Sequence, residues 1–282
     1  MSRNSGQNEP PYIHGTSPAE QQRLSLLNTL LNDACLSELN LRGGERIIDF
    51  GSGLAQFARD MARAAGPAGR VIGIERSPEQ LLEAMRQARQ VAEERLVDLR
   101  AGDVYDPPLE TAEWGTYDLA FARFVLEHVA DPLSVVSQMV RAVRPGGRIV
   151  LADDDHDLLR LWPEPTGLSE LWQAYIRSYD CNGTDGLVGR KLVSLLHAAG
   201  ARPVRNTLVF FGSCSGNSNF EGFVENLAGV ILTSREAMLK AGLFNEERFD
   251  KTIAELRAWG RRPDAAFWYG LSWAEGVKSS GE

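Results

Sequence analysis

Cysteine is scarce in this chain. Its 282 residues include three, Cys35, Cys181 and Cys214, an odd and widely spaced set with no CxxC pair. That excludes a disulfide framework and a cysteine-based zinc site, and it fits reduced thiols in a cytoplasmic protein. Long apolar runs are also missing. No stretch of about 18 apolar residues occurs, so no membrane span is expected. The polar segment Met1 to Pro11 lacks the apolar core of a secretion signal. Positive charge is not in excess. The net charge of −8 argues against a general nucleic-acid binder, which needs a basic face. Internal repeats and low-complexity tracts are absent too.

What is present points to an alternating α/β domain. Hydrophobic residues make up 43% of the chain, enough for a sizeable core. Ser17-Pro18-Ala19-Glu20 predicts a helix start, with Ser17 as N-cap, Pro18 at the first position and Glu20 closing a capping box. That helix runs to about Leu39, and Gly43-Gly44 breaks the chain after it. Strands are then expected at 46–50, 70–75, 97–101, 117–122 and 148–152. Helices between them cover 54–65, about 78–94 and 132–143. Apolar strands alternating with helices imply a parallel sheet covered on both faces. Two late strands, 204–211 and 267–277, flank a helical insert that we expect to form a lid.

The segment Asp49-Phe50-Gly51-Ser52-Gly53 carries the chemistry. A strand ends in an acid, a glycine turn follows, and a helix starts. Small residues there let a ligand approach bare backbone N–H groups. Glu75 ends the second strand, where an acid accepts hydrogen bonds from a ribose diol. Asp103 ends the third, where it can accept from an adenine amine. The dinucleotide fingerprint G-x-G-x-x-G requires glycine at position 56, which is Gln56, so a nicotinamide dehydrogenase is set aside. Asp106-Pro107-Pro108 lies after the wrong strand for a DPPY signature and ends in Leu109.

These residues resemble the ordered motifs of class I S-adenosylmethionine-dependent methyltransferases. The motifs are Asp49-Phe-Gly-Ser-Gly, Glu75, Gly102-Asp103, the Tyr117-Asp118-Leu-Ala-Phe strand, Leu126-Glu127-His128 and Arg144-Pro-Gly-Gly. The resemblance is closest to the ubiquinone/menaquinone methyltransferase-like branch and covers about residues 45–155. It implies a doubly wound seven-stranded, mostly parallel sheet with the last strand antiparallel and a helical cap. It implies S-adenosylmethionine as cofactor, S-adenosylhomocysteine as product and a small-molecule methyl acceptor. By resemblance, Gly51 takes the methionine part, Glu75 the ribose and Asp103 the adenine. Ser52, Gly53, Asp49, Arg76, Val104, Arg123 and Tyr12 complete the expected cofactor set. Ala55 replaces the usual third small glycine.

The expected layout is a flexible segment 1–16, a cap helix 17–44, a cofactor core 45–155 and a remainder 156–282 with a cap insert at about 217–262. His14, His128, Asp154 and His156 are the candidate bases. Glu127-His128 is read as pocket wall in preference to catalysis. Asp153-Asp154-Asp155-His156 is read as a solvated loop with one residue facing the pocket, and no metal is assigned to it. The dense aromatics of the C-terminal half, Trp172, Tyr175, Tyr179 and Tyr269 among them, are read mainly as core. A non-catalytic cofactor-binding scaffold and a protein-modifying methyltransferase remain as alternatives.

Overall fold

A computed structural model describes residues 15–279. Tyr12 and His14 lie outside the described residues. The helices are α1 (Pro18–Leu39), α2 (Gln56–Ala65), α3 (Pro78–Gln90), α4 (Pro132–Ala142), α5 (Leu168–Asp180), α6 (Leu192–Ala198), α7 (Phe220–Thr233), α8 (Arg235–Lys240) and α9 (Glu246–Trp259). The strands are β1 (Arg46–Phe50), β2 (Arg70–Glu75), β3 (Val97–Ala101), β4 (Tyr117–Arg123), β5 (Val143–Asp153), β6 (Arg160–Trp162), β7 (Ala201–Phe210), β8 (Ser213–Cys214), β9 (Ala266–Trp268) and β10 (Gly270–Lys278).

Seven strands form one sheet in the order β3-β2-β1-β4-β5-β10-β7. The first five run parallel, and β10 is antiparallel to both of its neighbours. Alternate residues along each strand serve opposite layers. Ile47, Val71, Leu119 and Val150 pack with Phe57 and Met61 on one face. Ile48, Ile72, Ala120 and Ile149 pack with Val135, Met139 and Leu196 on the other. Strand order reverses between β1 and β4, so the loops after these strands diverge and leave a crevice at the carboxyl edge.

Side-chain oxygens cap the helix starts, Ser17 as expected. Ser17 Oγ accepts the Glu20 N–H at 3.3 Å, Ser77 Oγ that of Gln80 at 3.2 Å, and Asp131 Oδ1 that of Ser134 at 3.1 Å. Glu20 does not close a capping box. Its carboxylate is buried against the Arg23 guanidinium, at 2.7 and 2.6 Å, a stronger charge-assisted pairing. Helix α1 packs across α2 and α7, so the N-terminal helix and the 217–262 segment meet above the sheet edge.

The late strands differ from expectation in one respect. The 267–277 strand is broken at Tyr269. Phe267 belongs to a second, three-stranded sheet, β6-β9-β8, and Gly270 opens β10. Strands β6 and β8 are three and two residues long, too short to leave a periodic pattern. None of the helices among the described residues is long and apolar enough to cross a membrane.

Candidate active site

The glycine loop hangs from β2 by its backbone. Gly51 and Ser52 donate to the Ile74 carbonyl at 2.9 and 2.8 Å. Glu75 secures the other side. Its Oε2 accepts the Gly53 N–H at 2.9 Å and its Oε1 the Ser77 N–H at 2.8 Å. Burial pushes the Glu75 carboxyl up, against the pull of those N–H groups. Gly51 has φ of 75°, and a Cβ there would meet Val125 Cγ2 at 2.6 Å, so only glycine fits.

A cavity of about 440 Å³ opens over this loop, within the range of small-molecule sites. Asp49, Gly51, Ser52, Gly53, Glu75, Arg76, Val104, Arg123 and His128 all line it. Asp103 is not among the lining residues; its Oδ1 accepts the Tyr105 N–H at 2.8 Å, and Val104 beside it forms the wall. The expected bare N–H groups are not found, because those of Gly51 and Ser52 are taken by the Ile74 carbonyl and that of Gly53 by Glu75; the strand-end acid and an apolar side wall do line the cavity.

Arg123 ties this cavity to α1. Its Nη2 donates to Asn28 Oδ1 at 2.6 Å and Asn32 Oδ1 at 2.9 Å, and its guanidinium lies 4.3 Å from the Phe57 ring centre. Burial pushes the Asp49 carboxyl up to about 7, opposed by the Arg123 charge. Asn28 and Asn32 carry no sequence signal, because an amide pair on a helix face reads as ordinary surface.

A smaller cavity of about 70 Å³ lies beside the first. The two share Leu24, Leu27, Phe124 and His128 as lining. The second is walled by Trp172, Phe211, Leu227 and Phe267, with Glu127, Asp154 and His156 among its polar groups beside Arg23, Asn226 and Tyr269. Here the solvated-loop reading of 153–156 is corrected. Asp153, Asp155 and His156 are all buried, and Asp154 is half-buried. Each has a separate role. Asp153 accepts four backbone N–H groups, those of Val125, Leu126, Glu127 and Asp154, and so fixes the 3₁₀ turn at Leu126–His128. Asp155 pairs with Arg190 through both oxygens, at 2.8 and 2.6 Å.

His156 is held on both ring nitrogens. Nε2 lies 3.1 Å from Glu127 Oε2 and 3.2 Å from the Tyr179 hydroxyl, and Nδ1 lies 2.9 Å from the Tyr269 hydroxyl. Trp172 and Tyr175 pack edge-on against the ring, and Trp172 Nε1 donates to the His156 carbonyl at 2.7 Å. Burial shifts the group as a whole. Glu127 is pushed up to about 7, and Asp154 up to about 8 with help from the Glu127 charge. His128 is pushed down to about 3, by burial first and the neighbouring His156 second. Glu127, Asp154 and His156 offer ligand atoms within 4.8 Å of one another, a spacing also compatible with a metal, but the tyrosine hydroxyls already occupy the His156 nitrogens. The polar use of Tyr179 and Tyr269 was missed as core packing. The available signal was Tyr175 and Tyr179 at i, i+4, which share one face of α5.

Comparison with known proteins follows the same outline. Residues 48–151 match a family model described as a methyltransferase domain. The chain is 36% identical over 167 residues to an uncharacterized 37.1 kDa protein in transposon TN4556 of Streptomyces fradiae, covering 58% of this chain and 46% of that one. It is 32% identical over 155 residues to 27-O-demethylrifamycin SV methyltransferase of Amycolatopsis mediterranei, covering 55% and 53%. The chain thus spans about half the length of the curated relatives it matches. In fold it is similar to the crystal structure of the [4+2]-cyclase SpnF, with a TM-score of 0.57, 18% identity and coverage of 99% of this chain and 100% of that one. Strand order, glycine loop and domain match agree: residues 48–151 match a methyltransferase domain, and the fold around them is similar to that of solved methyltransferase structures.

Proposed function

We propose that this protein transfers a methyl group from S-adenosylmethionine to a small-molecule acceptor. The observation that carries the reading is the second cavity, which shares Leu24, Leu27, Phe124 and His128 with the cofactor cavity. A donor in one and an acceptor in the other are neighbours across one wall. When bound, S-adenosylmethionine supplies an electrophilic methyl group on a sulfonium. Gly51, Ser52 and Gly53 hold the methionine end, with Asp49 and Arg123 below it. Glu75, Arg76 and Val104 hold the adenosine, with Asp103 behind them.

The remaining work belongs to this chain. It aligns the acceptor, excludes water and takes up a proton, and alignment alone supplies much of the rate. His128 sits at the shared wall and is neutral at physiological pH, so it can accept a hydrogen bond without bringing a charge near the sulfonium. The apolar lining of the second cavity favours an acceptor with an apolar body, as the rifamycin name of one relative also suggests. Free thiols at Cys35, Cys181 and Cys214 support the cytoplasmic expectation.

Calorimetry with S-adenosylhomocysteine tests the reading. A saturable heat and an upward thermal shift are expected, and the absence of both overturns it.

A further inference from the structure

The geometry points to Asp154 as the group that receives the acceptor in the second cavity, and to a neutral hydroxyl-bearing acceptor as the class it takes. This rests on the methyl-transfer reading above. Asp154 lines that cavity, and its Oδ1 is buried without a hydrogen-bond partner among the described residues. A buried carboxylate oxygen left without a donor is costly, so a ligand that brings an O–H there is favoured by the whole of that unmet demand.

The neighbouring groups narrow the class. His156 is held by Glu127, Tyr179 and Tyr269, so its ring nitrogens are committed. The cation lining this cavity is Arg23, and its guanidinium is tied to Glu20 and Asn226. Glu127 adds a second carboxyl. Two carboxyl groups, when ionised, repel carboxylate or phosphate acceptors, and the committed cation offers little to offset this. Aromatic and aliphatic walls receive the rest of the molecule.

In the transfer step the acceptor O–H bond breaks and its proton passes to Asp154 Oδ1. The oxygen pair forms the new bond to the methyl carbon, and the methyl–sulfur bond breaks with its pair left on sulfur. One sulfonium charge and one carboxylate charge are thereby cancelled. Burial brings the Asp154 carboxyl up to about 8, so the ionised form that takes up the proton prevails above that pH.

The test is binding, with the protein saturated in S-adenosylhomocysteine. Phenol and benzoate are titrated into the wild type and Asp154→Asn at pH 9, above the Asp154 value of about 8, where its carboxyl is ionised. We expect phenol to bind and benzoate to bind at least tenfold more weakly. In Asp154→Asn the phenol affinity should fall at least fivefold and the gap to benzoate should narrow. Equal binding of the two probes to the wild type overturns the proposal without recourse to any variant. So does binding of neither, or an Asp154→Asn protein with unchanged preference. Failure of S-adenosylhomocysteine itself to bind would instead remove the underlying methyl-transfer reading.

Discussion

Glu75 Oε2 accepts the backbone N–H of Gly53 at 2.9 Å. The acid at the end of β2 therefore shapes the glycine loop as well as facing the cofactor cavity. Glu75→Ala removes the acceptor for both Gly53 and Ser77. We expect a weakening of S-adenosylhomocysteine binding by about 1–3 kcal/mol, together with a lower melting temperature of the ligand-free protein. Calorimetry and thermal denaturation measure the two effects separately. An acid that only met the ribose would lower affinity and leave the ligand-free melting point unchanged.

Gly51→Ala tests the other side of the loop. The variant places a side chain at φ of 75° and against Val125 Cγ2. Backbone strain there costs on the order of 1–3 kcal/mol. The expected result is a melting temperature lower by several degrees and affinity for S-adenosylhomocysteine at least tenfold weaker. Adding Val125→Ala should recover part of the loss, because it relieves the contact and not the dihedral. Wild-type behaviour of the single variant would show that the loop has room the geometry denies.

The cofactor half of this molecule was readable because its chemistry is local. Asp49 to Gly53 is one strand end and one turn, and Glu75 ends the next strand, so residue type and spacing reveal them. The acceptor half is assembled from distant pieces. Glu127, His156, Tyr179 and Tyr269 come from four separate segments, and only folding brings them to one imidazole. Glu127-His128 was recognised as a motif, but its partner was not. Three consecutive acids at 153–155 read as a solvated loop because strings of charge usually are. Burying them required backbone N–H groups for Asp153 and the guanidinium of Arg190 for Asp155, and neither partner is visible in local sequence. The break at Tyr269 was hidden because Phe267 and Leu271 continue an apolar pattern across it.

The buried carboxyls set the pH response. Asp154 stays protonated in the folded protein up to about 8, and Asp49 and Glu127 up to about 7. In the unfolded chain all three ionise near pH 4. Between about pH 6.5 and 8 the folded state therefore binds more protons, and rising pH lowers stability. His128, pushed down to about 3, acts in the opposite direction, but only below its unfolded value of about 6.5. The melting temperature should fall from pH 6.5 to 8. Asp154→Asn cannot titrate and should flatten the slope by up to about 1.4 kcal/mol per pH unit. A flat or rising wild-type profile across that window would mean that these carboxyls are ionised in the fold.

Asp153 offers the severest test of how the acceptor cavity is built. It is fully buried, and its two oxygens accept four backbone N–H groups. Those donors belong to the turn that carries Glu127 and His128 to the second cavity. Asp153→Ala leaves all four without their acceptor in the interior. Each unmet buried donor costs about 1–3 kcal/mol, partly relieved where water enters. The expected loss of stability is at least about 3 kcal/mol, a size reserved for broken buried networks. Asp153→Asn keeps one oxygen and should lose roughly half as much. Urea denaturation of both variants gives the two values. At low temperature, where the folded population survives, Asp153→Ala should lose phenol binding more than it loses S-adenosylhomocysteine binding, because the glycine loop hangs from β2 and not from this turn. An alanine variant as stable as the wild type would show that the turn stands without Asp153 and that the second cavity owes its shape to the aromatic walls alone.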